Sequence, residues 1–544
     1  MKILKPILYT AVAGLLLSSC KSISNIPVPQ GSDVAIIAVA KKAPLTEAQK
    51  NNWGHLDLIK DSIPGMSVDK AYDFLKGKKS VTVVVGVVDS GTDLTHEDLK
   101  HVAWVNTKEV VGNGIDDDKN GYIDDINGWN FIGDAYKENY EADRILNNPS
   151  LESAEVVAEI KAAHEKKVAN AGKTKTRFEQ MLSGVKNANE SLAKHLGKKD
   201  YTAKDVEAIT TEDPSLLQSV AIAKQMYGFG LSSLDQAQTE IKKELDKSIE
   251  LLNNSYTNYR KTGDNPEDIN DSPGYGNGNP GVSIKSEAHG SHVSGIIGAS
   301  RNNAKGMNGV ANNIKIMAVR SVPDGDEYDK DVALGLRYAV DNGAKVINTS
   351  FGKAYSPHKE WVYEAIQYAA KNDVLIVNAA GNSGKDIDVE RTYPNDSKDL
   401  LLEVSDNVLT IGAMSANYNE NLPASFSNYG KKNVDIFAPG VQIYSTTPEN
   451  EYKKFSGTSM AAPSTAGVAA LIRSYYPELS ASQVKHIIMN SGTKINIQVT
   501  KPGSSSRENP NGELVPFADL SVTGRVVNAY NALKMADSIV NGKN

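Results

Sequence analysis

Ser459 lies in the stretch FSGTSMAAPSTAG (455–467), between Gly457-Thr458 and an alanine-rich run that continues to Pro477. A helix starting there aims its free backbone N–H groups and positive dipole end at the serine. A bare N-cap serine is worth about 1 kcal/mol, and that role does not account for Gly457 or the flat Ala461-Ala462 pair. A nucleophile does. Three other residues have matching chemistry. Asp89 ends the apolar run VVVGVVD (83–89), His289 opens HGSHVSGIIGA (289–299), and Asn382 sits in the turn AAGNSG (379–384). An imidazole can take the proton of a serine hydroxyl, a carboxylate can hold that imidazole in one tautomer, and a side-chain amide can donate to a developing oxyanion. Singly, each has a plainer reading: a capping Asp, a structural His, a left-handed turn Asn. His289 and His292 could also form an i,i+3 metal pair, but no third ligand stands nearby in the sequence.

A second cluster is GNGIDDDKNGYIDDINGWNF (112–131). Asp116, Asp118 and Asn120 fall at positions 1, 3 and 5 of a loop with Gly121 at 6, which is the start of an EF-hand-like calcium loop. Tyr122 would offer its backbone carbonyl at position 7 and Asp124 its carboxylate at 9. Position 12 is Asn127 rather than Glu, so Asp125 is the candidate substitute. Calcium is expected here in a structural role. A plain acidic, solvated turn is the alternative.

The elements that must position these residues can be read from periodicity. Continuous β-branched runs at 80–91, 314–319, 345–350, 374–381, 408–413 and 434–440 suit strands buried on both faces of a parallel sheet. Helical patterns at 290–300, 329–342 and 359–371 alternate with them, and two more follow at 459–475 and 480–491, the last with a capping box from Ser480 and Gln483. This alternation predicts an α/β layer fold with a central, mostly parallel sheet. Residues 134–280 break the rhythm. Ile241, Leu245, Ile249, Leu252 and Tyr256, like Leu182, Val185, Leu192 and Leu196, step at helical spacing, so a helical insertion of about four helices is expected, its charges forming a solvated face.

The 544-residue chain is 40% hydrophobic with a net charge of −7, which points to a globular protein and gives no sign of nucleic-acid binding. Residues 1–19 read as a signal peptide: Lys2 and Lys5, then an apolar run too short to span a bilayer. The sequence Leu17-Ser18-Ser19-Cys20 resembles a bacterial lipobox, which implies lipidation of Cys20, the single cysteine of the chain. The expected protein is therefore tethered to a bacterial membrane in the cell envelope, monomeric, and without internal disulfides. Its expected segments are a tether over 20–52, a catalytic domain over 53–133 and 281–544, and the insertion over 134–280.

Taken in order, VVDSGTDLTHEDL, HGSHVSGIIGA, NTSFG, AAGNSG and GTSMAAP resemble the subtilisin-like serine proteases, which share the Asp-His-Ser chain order. The resemblance covers roughly 81–133 and 281–495, with GRVVNAYNAL (524–533) as an expected C-terminal helix. It implies a subtilisin-like three-layer fold and peptide hydrolysis through Asp89, His289 and Ser459, with Asn382 in the oxyanion hole. It also implies that Ser350, Phe351 and Gly352, with Ala380 and Gly381, flank a protein or peptide substrate added as an extended strand; Phe351 would narrow a distal apolar pocket. Loops like 112–131 also occur in some members of that family. Two features depart from the pattern. Asp89 and His289 are 200 residues apart, a gap the insertion accounts for, and residues 21–80 are short for an inhibitory prodomain. A catalytically dead scaffold with the same fold is the rival reading, and the presence of all four site residues argues against it.

Overall fold

The computed structural model describes residues 27–30, 40–41, 43–253, 256–282 and 284–542. The signal segment and Cys20 lie outside the described residues, as does much of the expected tether. The chain divides into two compact units, one of residues 1–138 and 260–544 and the other of 139–259.

The larger unit is built on a sheet of nine strands among the described residues. Its strands are β1 (Val83–Asp89), β2 (Gly128–Asn130), β3 (Ile314–Arg320), β4 (Val346–Thr349), β5 (Leu375–Ala379), β6 (Val408–Met414) and β7 (Ile436–Pro439), with short edge strands Thr493–Lys494 and Arg525–Val526. From one edge the order is Thr493–Lys494, Arg525–Val526, β7, β6, β5, β4, β1, β3, β2. All pairings are parallel except that between the two short edge strands.

β1 shows why its sequence is apolar throughout. Val83, Val85 and Val87 enter one core, with the helices His289–Gly298, Thr458–Tyr475, Ala481–Ser491 and Ala529–Asn541. Val88 enters the other, with the helices Asp329–Asp341 and Lys359–Lys371. On that second face a Cβ at Gly86 would lie 3.0 Å from Ala339 Cβ, so the glycine lets the helix sit close. Helices thus cover both faces, the arrangement parallel sheets require. The capping box of Ser480 and Gln483 forms as expected.

The smaller unit is helical. Its 43-residue helix Ala154–Leu196 packs with Pro214–Gly228 and Leu234–Leu252 around Val185, Leu192, Leu216, Val220, Met226 and Ile241. Two short helices, Glu141–Asn147 and Ala203–Glu207, and a single 3-10 turn, Pro149–Leu151, join it among the described residues. Tyr256, read as the end of an apolar stripe, falls beyond the helix that stops at Leu252.

The unit is narrower than the 134–280 stretch expected: residues 136–138 pair by backbone with Asp324, and the returning chain is held by ion pairs. Arg260 pairs with Asp264 at 2.8 Å and Asp331 at 2.9 Å. Lys330 reaches Asp264 at 2.7 Å with both side chains fully buried. Buried charges persist only when paired, so this network fixes residues 260–275 to the helix Asp329–Asp341 of the larger unit. Their polar, Gly/Asn/Pro-rich composition hides that role.

Candidate active site

Asp89 is the last residue of β1, His289 the first of the helix His289–Gly298, and Ser459 the second of the helix Thr458–Tyr475. Strand ends and helix starts meet at the carboxyl edge of the sheet, where α/β folds gather their ligands. The Asp89 carboxylate is buried, at 1% exposure, and its Oδ1 lies 2.7 Å from His289 Nδ1. The same oxygen accepts from the Ser90 N–H at 2.8 Å. The imidazole is open on its other side, with 38% of the side chain exposed. Burial works against a charged His289, but the Asp89 carboxylate outweighs it and holds the imidazole pKa above its ordinary value of 6.5. His292 is neutral by contrast: burial pushes its pKa down to about 3. Its Nε2 faces the Ile443 and Lys453 carbonyls at 3.0 Å, and its ring stacks on Phe455. Among the described residues no cluster of three metal-ligating side chains includes His289 or His292.

Ser459 is held from behind. Pro463 lies inside the helix, past its first turn. Having no N–H, it leaves the Ser459 carbonyl without its helical donor. The Ser350 hydroxyl fills that place, donating to Ser459 O at 3.0 Å while accepting from Asn348 Nδ2 at 2.8 Å. Ser350 is therefore buried, and its side chain braces Ser459 rather than facing a ligand. Among the described residues no hydrogen bond joins the Ser459 hydroxyl to His289. In a substrate-free site such a contact is commonly long and tightens when substrate excludes water.

Asn382 is exposed on the turn after β5. Its Oδ1 accepts from Thr458 N at 2.8 Å and Thr458 Oγ1 at 3.0 Å, which leaves its amide nitrogen free of that bracket. A Cβ built on Gly457 would lie 3.6 Å from both Asn382 Nδ2 and Ser459 N, so these two donors flank one small space. Gly381 has φ +100°, and a Cβ there would meet Asn428 Nδ2 at 2.4 Å. Asn428 brackets the turn further: its Nδ2 donates to Ala380 O at 2.8 Å and its Oδ1 accepts from Ser383 N and Lys385 N. Gly352 is exposed backbone beside Tyr393, and Lys353 pairs with Tyr393 in a short antiparallel bridge. Phe351 packs against the core beneath the helices Asp329–Asp341 and Lys359–Lys371.

The acidic loop departs from the residues the sequence suggested. Oxygens of Glu109, Asp116 and Asp118 lie within 4.8 Å of one another. Glu109 is the member that motif spacing misses. It also accepts from Asp118 N at 3.0 Å and Asp124 N at 3.2 Å. Asp124 turns away, its two oxygens taking the N–H groups of Gly112 and Gly114 at 2.8 and 2.9 Å. Asp125 is buried in the opposite direction, bonded by Tyr338 at 2.6 Å, Asn106 at 2.8 Å and Asn120 at 3.0 Å. Burial raises its carboxyl pKa. The Tyr122 ring belongs to the aromatic core with Trp129, Phe131 and Tyr338.

Comparison with known proteins agrees with this architecture. The model of the subtilase family, Peptidase_S8, matches residues 80–512. Subtilisin DY of Bacillus licheniformis is 37% identical over 208 residues, 38% of this chain and 71% of that protein. Thermitase of Thermoactinomyces vulgaris is 38% identical over 208 residues, 38% of this chain and 68% of that protein. The thermophilic serine proteinase of Bacillus sp. (strain AK1) is 42% identical over 188 residues, but only 42% of its length is spanned. With most of its length matched to the family model and its motifs gathered at one edge of the sheet, the chain belongs to the subtilase family of serine peptidases.

Proposed function

We propose that the protein is an active endopeptidase that cleaves proteins or peptides through an acyl-enzyme intermediate. The observation that carries this reading is the 2.7 Å contact between Asp89 and His289 Nδ1, which leaves the other imidazole nitrogen available on the open side. Ser459 Oγ attacks the scissile carbonyl carbon while His289 Nε2 takes its proton. The C–N bond then breaks, His289 returns the proton to the leaving amine, and the acyl group stays on Ser459. Water, deprotonated by the same nitrogen, releases the acid. Asp89 stabilises the imidazolium, and Asn382 Nδ2 with the Ser459 N–H stabilises the oxyanion. Exposed Gly352 and the Ala380–Gly381 segment, all with short side chains, suit a peptide lying as an added strand.

Asn382→Leu tests the oxyanion role. The expected loss is about 10²–10³-fold in kcat with little change in KM, the range found when one such donor is removed in subtilisin. An unchanged kcat would place the oxyanion elsewhere.

Glu109, Asp116 and Asp118, with carbonyl or side-chain oxygens of the same loop, suit a structural calcium ion. The fit rests on three carboxylates converging within 4.8 Å. The basic group beside them is Lys108, 3.8 Å from Asp118 with its side chain 75% exposed, a weak counter-ion. Binding to the native state alone raises stability by about 2.7 kcal/mol at a hundredfold excess over Kd. EDTA is therefore expected to lower the melting temperature by several degrees, and Glu109→Gln to abolish that EDTA effect. A melting temperature indifferent to EDTA rules the ion out.

Lipidation of Cys20 and attachment to a bacterial membrane complete the proposal; its support is the basic, then apolar, then Leu-Ser-Ser-Cys pattern of residues 1–20.

A further inference from the structure

Arg320 ends β3 directly beside Asp89, its register partner on β1. It is among the largest side chains buried without exposure. A guanidinium has five N–H donors, and each of Arg320's has an acceptor. Nε donates to Ser90 O at 3.1 Å, Nη1 to Asn130 Oδ1 at 3.2 Å and Gly133 O at 2.9 Å, and Nη2 to Ala135 O at 2.9 Å and Glu287 Oε1 at 2.6 Å. Two of these acceptors flank the Asp–His pair: Ser90 follows Asp89, and Glu287 precedes His289 by two residues.

Asp89 and His289 are 200 residues apart in the chain, so chain connectivity does little to hold them together. Something must fix the segment that carries the imidazole to the strand that carries the carboxylate. The direct ties between the segments are neutral and longer: Asp93 N to Ser291 Oγ at 2.9 Å, Thr92 Oγ1 with Ser294 Oγ at 3.0 Å, and Gly290 N to Ser90 Oγ at 3.3 Å. Thr92 N to Pro280 O, at 3.1 Å, holds the returning chain further back. The buried, charge-assisted Arg320–Glu287 pair is shorter, and such bonds are about twice as strong as neutral ones. Glu287 in turn orders its own approach, accepting from Ile284 N at 3.3 Å.

From this we infer that Arg320, acting through Glu287 and the Ser90 carbonyl, is the positioning residue that sets His289 against Asp89. The inference rests on the Asp–His–Ser reading above. Arg320 touches no substrate; its effect is on the imidazole. Among the described residues the charged group in contact with His289 is Asp89; on the segments beside it, Glu287 is paired to Arg320, and Lys285 is paired to Glu449 and Glu451 on the exposed rim. His292, one turn on, is neutral.

The test uses the full chain and three substitutions: Arg320→Met, Arg320→Lys and the near-isosteric Glu287→Gln, which keeps the question answerable if Arg320→Met fails to fold. Active sites are counted with a fluorophosphonate, and kcat, KM and the pH profile are measured per site. Separately, the His289 imidazole is titrated by NMR. Arg320→Met and Glu287→Gln are each expected to lower kcat tens of fold, with KM within about twofold. Both should move the His289 titration, and the acid limb with it, to lower pH, because the imidazole loses part of the carboxylate's support. Arg320→Lys keeps the charge with three donors and should fall between wild type and Arg320→Met. A pure field effect predicts opposite movements instead: up when the cation is removed, down when the anion is. Opposite movements overturn the inference. So does a lower melting temperature with kcat and titration unchanged. A wild-type chain without peptidase activity sinks the peptidase reading, while the NMR titration still decides whether the clamp sets the Asp–His contact.

Discussion

Ser459→Ala is expected to reduce kcat by about 10⁶-fold, with the fold and melting temperature kept. The magnitude follows the subtilisin precedent, in which removing the serine or the histidine alone costs about as much as removing all three residues. The same non-additivity is expected here. Adding His289→Ala to Ser459→Ala should lower the residual rate no further, since a base without a nucleophile has no proton to take. Residual activity should persist above the uncatalysed rate, because Asn382 and the N-terminal N–H groups of the Thr458–Tyr475 helix remain in place. Additive losses in the double variant would mean that the two side chains work in separate events.

Asp89→Asn should cost about 10⁴-fold in kcat, because the amide favours the wrong imidazole tautomer and no longer stabilises the imidazolium. Its pH behaviour is the sharper test. Only neutral His289 can accept the serine proton, so kcat/KM rises as pH passes upward through the His289 pKa. That pKa stands above 6.5 because the Asp89 carboxylate outweighs the effect of burial. Removing the carboxylate leaves burial dominant, so the acid limb should shift to lower pH even as the rate falls. A limb that stays in place, or rises, would separate Asp89 from the titrating group. Measuring kcat/KM from pH 5 to 9 in both proteins decides it.

The sheet was legible because it is buried on both faces: an uninterrupted β-branched run such as 83–88 has no other economical use in a globular chain. Helices with strong caps, such as Ala481–Ser491, were legible for a similar local reason. GRVVNAYNAL was read as wholly helical, yet Arg525–Val526 forms an edge strand and the helix begins at Ala529. Two residues of strand carry no periodicity. β2, with three residues, escaped for the same reason.

The Asp89–His289 contact follows from motif order, since the two residues end a strand and start a helix at the same sheet edge. What supports it was not legible. Arg320 reads as the polar end of a strand, and Glu287 as an ordinary loop carboxylate, until the fold places them 2.6 Å apart. The second task of Ser350 was not legible either: its hydroxyl supplies the donor that the missing N–H of Pro463 denies the Ser459 carbonyl. In the acidic loop, one-dimensional spacing selected Asp124, with Asp125 as the substitute for a missing Glu, whereas backbone turns direct Asp124 to two glycine N–H groups and packing buries Asp125 beside Tyr338. Glu109 joins Asp116 and Asp118 from outside the counted motif.

The most direct measurement is covalent labelling with a fluorophosphonate, followed by peptide mapping, on the wild-type chain and on His289→Ala. A single adduct on Ser459, formed at a rate that rises with pH through the His289 titration and lost in His289→Ala, is the result predicted. No adduct on the folded wild-type protein, or an adduct at any other residue, would contradict the proposed relay.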